Sequence, residues 1–283
     1  MAALQVRRRA GRAALAAAAL LAGAVQGQGE DTAWRDLESR IQYGYYTEDA
    51  AALRAVATTL GDSDAHGKLH GYYAALLEWR QALLAARPGT PPHGPSAAQL
   101  TQHCVSDLDG ALALDPDFAD ALALRSACLG TAFTASGVHV PFAAHRARKD
   151  LERALQLAAS NPRVLLLDAL ADHELSDAKG AEREGLLPKL RRTVAAFEAE
   201  RRGPEQLPGW GAAEAWLLLG RELLDHGDPL GARDALERAL DRAAVGRGAA
   251  PDGTDHRRLR QRASAGVIVA RLRAATPHHV PGE

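Results

Sequence analysis

Cys104 and Cys128 are the two cysteines of the 283-residue chain, and each stands 12 residues from Pro116. If Pro116 marks the turn between two antiparallel helices, the two sulfurs lie at the same height and can be bridged. An oxidising compartment would preserve such a bridge; otherwise they are two buried thiols. His66 and His70 are four residues apart and share a helix face, a spacing that suits a metal, yet Gly67 stands where a zinc hydrolase carries its glutamate. No third ligand follows nearby, so these histidines are read as packing or surface residues and no metal is expected. Asp62, Ser63, Asp64 and His66 crowd one short stretch, which fits a polar turn with a helix cap better than a triad, whose members come from separated positions. Pro251 to Asp255 holds two aspartates without the spaced oxygens of a calcium loop. There is no phosphate-binding glycine loop, no dinucleotide fingerprint, no nucleophile elbow and no paired zinc histidines around a glutamate. The sequence therefore predicts no catalytic residue and no cofactor, and the chain is not read as an enzyme.

The N-terminus has the order of a secretory signal. Arg7, Arg8, Arg9 and Arg12 precede an uncharged apolar run over 13–25, and Ala22 and Ala24 offer a small-residue cleavage site. Residues 1–24 are expected to be removed on export to the periplasm or the exterior. The run is too short to remain as a membrane span. Taking the four leader arginines from 34 basic residues leaves 30 against 35 acidic ones, about −5 net. Without an offsetting basic stripe, nucleic acid is not an expected partner.

The elements that would position any site are helices. The chain is 47% hydrophobic but only 5% aromatic, and roughly one residue in five is alanine, so its core must come from Ala and Leu on closely approaching helices. Apolar periodicity predicts helices at about 31–45, 48–60, 66–86, 97–114, 118–135, 142–158, 162–173, 181–200, 212–226, 229–244 and 255–274, with no strand. Thr47 and Ser96 read as N-caps. The breaks at 88–95, Arg201 to Gly211 and Val245 to Asp255 are too short to separate domains, so 30–275 is expected to form one domain, with 276–283 as a disordered tail.

Trp216, Leu219, Gly220, Leu223, Gly227, Ala232, Leu236 and Ala239 fall at the spacing W-x2-L-G-x2-Y…A-x3-F-x2-A, with Leu in place of Tyr and Phe. Leu108, Ala111 and Pro116 repeat the end of that pattern, Leu151 and Ala154 do so again, and Leu187 to Phe197 carries a weaker copy. Over about 66–246 the chain resembles a tetratricopeptide-repeat protein of the exported bacterial type, with two helices before and one after that could cap the ends. The loops inside the first three units exceed the 34-residue period, so the copy is divergent. In that pattern Gly220 and Ala232 lack bulk where two helices cross, Trp216 and Leu219 fill the space between them, and Leu236 and Ala239 face the next pair.

The resemblance implies an all-α fold, a right-handed solenoid of antiparallel helix pairs, monomeric, that holds a protein or peptide along its concave face. It assigns Asp120, Ala123, Arg163, Leu166, His173, Glu214, Leu217 and Arg221 to that groove. A paired-lysine clamp for a partner's terminal carboxylate is not apparent. A structural or accessory subunit of an envelope assembly is the alternative, and an enzyme with a site between helices is a weaker one.

Overall fold

The computed structural model describes residues 31–61, 67–87, 94–136, 141–179, 185–201 and 207–245. Among them all regular secondary structure is helical: α1 (31–46), α2 (Ala50–Gly61), α3 (Lys68–Ala85), α4 (Ala97–Leu114), α5 (Ala119–Ser136), α6 (Pro141–Leu157), α7 (Pro162–Lys179), α8 (Leu186–Glu200), α9 (Ala212–Asp225) and α10 (Pro229–Val245). The expected leader, the helix at 255–274, the tail, and the stretches holding Asp62 to His66 and Pro251 to Asp255 lie outside the described residues.

Local chemistry sets the boundaries. Ser96 caps α4 by accepting from the Gln99 amide while the Gln99 side chain accepts from the Ser96 N–H, a reciprocal capping box. Asn161 and Asp228 each precede a proline at the first helical position and accept from backbone N–H groups of α7 and α10. α9 stops where Gly227 takes φ +77°, letting the N–H groups of Gly227 and Asp228 reach the carbonyls of Leu224 and Leu223. At the start of α2 the expectation fails: Asp49, not Thr47, accepts from the amides of Ala51 and Ala52. Thr47 instead donates to the Tyr43 carbonyl and closes α1, and with Glu48 left-handed (φ 57°) the helix starts two residues later than the pattern suggests.

Each helix from α2 onward packs on its successor, and the odd-numbered α3, α5 and α7 also touch one another in turn. One hydrophobic cluster runs from Trp34 to Ala239. Its alanines and glycines allow close approach: a Cβ at Gly220 would stand 2.8 Å from Leu236 Cγ and 3.2 Å from the Ala232 carbonyl, and one at Gly71 would stand 2.9 Å from the Asp107 carbonyl. Leu236 thus lies over Gly220 within its own pair, where the expectation had it facing the next pair. Cys104 on α4 and Cys128 on α5 are buried with their sulfurs at disulfide distance and their Cα atoms 6.4 Å apart. Among the described residues no helix is long and apolar enough to cross a membrane.

Candidate functional site

Polar side chains from all five odd-numbered helices converge on one enclosed face. On α1, Trp34, Glu38, Gln42 and Tyr45 recur at three to four residues and so share a side; α3 brings Tyr72, Tyr73, Trp79 and Arg80, α5 brings Asp120, α7 Arg163 and α9 Glu214. Two arginines organise them. Arg80, 1% exposed, pairs with Glu214 and lies over the rings of Tyr45 at 4.1 Å and of Trp79 and Trp210 at 4.8 Å each. Tyr46 donates to the same carboxylate. Burial alone would lower the Arg80 guanidinium; Glu214, then Tyr45 and Tyr46, outweigh it, so the group stays charged. Arg163 donates through Nε to Asp120 at 2.8 Å and through its two terminal nitrogens to Glu200 at 3.0 and 2.6 Å, while Asn161 donates to the other Asp120 oxygen. Such forked bonds between a buried guanidinium and carboxylates are the strong, geometrically fixed kind.

Between the two arginines lies the segment Leu207–Gly211, which the sequence reads as a linker. Trp210 is buried and donates from Nε1 to Tyr72 Oη at 2.8 Å. The Gly209 N–H donates to Glu38, which also accepts from Tyr73 at 2.8 Å. Burial raises the Glu38 carboxyl, and these two donors offset only part of that. Gly211, at φ +110°, presses on Phe197 and Leu166 so closely that a Cβ would meet them at 2.8 and 3.0 Å. Burial holds the phenols of Tyr46, Tyr72 and Tyr73 above their ordinary value, keeping them neutral donors.

Asp120, Ala123, Arg163, Leu166 and His173 are buried, and Glu214, Leu217 and Arg221 are partly buried. Asp120 and Arg163 meet directly; Glu214 reaches Arg80 instead. Sequence reading missed Glu38, Gln42, Tyr72, Arg80 and Trp210. A signal for them existed: all five tyrosines lie between 43 and 73, and Arg80 interrupts an otherwise apolar helix face. His70 approaches the Leu60 carbonyl at 3.4 Å, and His66 lies outside the described residues. Among the described residues no cluster of three or more His, Cys, Asp or Glu could hold a metal.

The arrangement joins opposite charges inside the fold, and its outer limit is where side chains emerge. Along α9, Leu217, Arg221 and Leu224 follow Glu214 on one side, and exposure rises to 41% at Leu224 and 68% at Leu230 just past the turn. No family model, curated protein or solved structure matches the chain.

Proposed function

We propose that the chain is an exported scaffold of tetratricopeptide-like helix pairs, α3 with α4 through α9 with α10, capped at the front by α1 and α2, that binds a protein or peptide partner. The observation that carries this reading is the crossing at Gly220: its contacts with Ala232 and Leu236 join the small and large positions of the one unit whose sequence has most of the signature. Contacts of α3 with α5 and of α5 with α7 support it, since in such arrays the first helix of each pair lies beside the first helix of the next. The buried Cys104 and Cys128 pair is compatible with an oxidising compartment.

In this reading the inner part of the concave face is spent on the chain's own contacts, because a partner reaching Arg163 or Arg80 would have to displace buried carboxylates. The partner meets the rim instead, at Leu217, Arg221, Leu224 and Leu230, where apolar side chains emerge along with Arg221. Affinity capture from the exported fraction, followed by mass spectrometry, tests this. The scaffold reading expects a discrete partner bound by the parent and by an Arg148→Glu control on α6, and lost from Leu224→Glu/Leu230→Glu. Equal capture by all three removes the rim assignment, and no discrete partner favours the purely structural role.

A further inference from the structure

Among the described residues α10 packs chiefly on α9, with one ion pair from Arg242 to Glu198 on α8, and no element follows it. Leu217, Leu224 and Leu230 emerge along the edge of this last pair, from half-buried Leu217 to Leu230 at 68% exposure. Covering such an edge takes an apolar stripe, and the chain carries one of opposite charge. Over 212–245 seven carboxylates stand against four arginines, and Asp228, Asp234, Glu237 and Asp241 are exposed. Arg233 already lies against Asp234 and Glu237, at 3.2 and 3.8 Å. Over 255–274, outside the described residues, six arginines stand against Asp255 alone, and Leu259, Ala263, Val267 and Ala270 recur at the spacing of one helix face. Residues 246–254 can span about 30 Å, more than the roughly 26 Å of the 17-residue α10, so the chain can double back along the last pair.

We propose that residues 255–274 seat on this edge, antiparallel to α10, and compete there with the partner, an autoinhibitory contact supplied by the chain itself. At a helical rise of about 1.5 Å per residue, a segment that starts beside the end of α10 brings Val267 and Ala270 to the level of Leu224 and Leu230. Its arginines then flank the stripe among the exposed carboxylates of α10, an attraction that salt screens, while the apolar contact holds the register. The seat is independent of the scaffold reading; only the competition rests on it.

The test is hydrogen–deuterium exchange of the full chain, read by mass spectrometry at two protein concentrations, on the parent, Val267→Asp and Leu224→Glu/Leu230→Glu. The proposal expects 255–274 to exchange more slowly than unstructured chain in the parent and to lose that protection in both variants. It also expects 217–230 to exchange faster in Val267→Asp than in the parent. Exchange of 255–274 at the unstructured rate in the parent, or protection that survives Leu224→Glu/Leu230→Glu, overturns it. Protection that grows with protein concentration overturns it in favour of a second copy. Leu224 and Leu230 are exposed, so their replacement leaves the core packing intact. No partner enters these readings, so a failed capture counts against the scaffold reading and leaves the seat standing. Where a partner is captured, Val267→Asp should retain more of it than the parent, and equal capture removes the competition.

Discussion

Arg80 on α3 and Glu214 on α9 form an ion pair across 134 positions of sequence. It ties the N-terminal helices to the last pair, and Tyr46 on α1 joins through the same carboxylate. The chain thereby closes this face on itself, with Trp210 hydrogen-bonded to Tyr72 Oη and packed against the Trp79 ring.

Trp210 is the first prediction. Trp210→Ala removes a buried indole and the donor to Tyr72, and should cost about 3–5 kcal/mol. Trp210→Phe keeps most of the ring but leaves Tyr72 Oη without that donor, and should cost about 1–3 kcal/mol. Urea denaturation of both variants beside the parent gives the two values; equal, small losses would mean that Leu207–Gly211 is a surface linker after all.

The crossing of α9 and α10 makes the second. Leucine is the better helix former by several tenths of a kcal/mol, yet a side chain at Gly220 meets Leu236 and, behind it, the Ala232 carbonyl, which cannot swing aside. Gly220→Leu should lose about 2 kcal/mol or more, and the exposed Arg233→Leu close to nothing. A Gly220→Leu protein as stable as the parent would remove the close crossing.

The third concerns Cys104 and Cys128. A bridge closing a sequence separation of 24 residues should stabilise the chain by about 3 kcal/mol. Denaturation with and without reductant measures this directly. Two thiols that alkylate in the native protein would show that the bridge does not form.

Helix positions were legible because apolar periodicity and caps are local signals: α4 starts and ends where the pattern puts it, and Pro116 located the hairpin that brings the cysteines together. α7 runs on to Lys179, beyond the expected 173, since the mostly polar sequence of 174–179 offers no apolar periodicity to count. The enclosed face was only half legible. Asp120, Arg163 and Glu214 were singled out as positions on first helices, but their partners Glu200 and Arg80 are long-range, and no local spacing encodes a pair 134 residues apart. Trp210 was lost in a stretch rich in Pro and Gly, where composition says loop and says nothing of burial.

The enclosure of that face is tested most directly by a double-mutant cycle on Arg80→Met and Glu214→Leu, read as unfolding free energies. Either change alone leaves a buried charge unpaired and should cost about 3–5 kcal/mol, whereas the double variant replaces the pair with apolar groups and should lose far less than the sum. The account predicts a coupling of about 2 kcal/mol or more between the two positions. Effects that add to within about 0.5 kcal/mol, as for independent distant sites, would contradict it and would leave that face open.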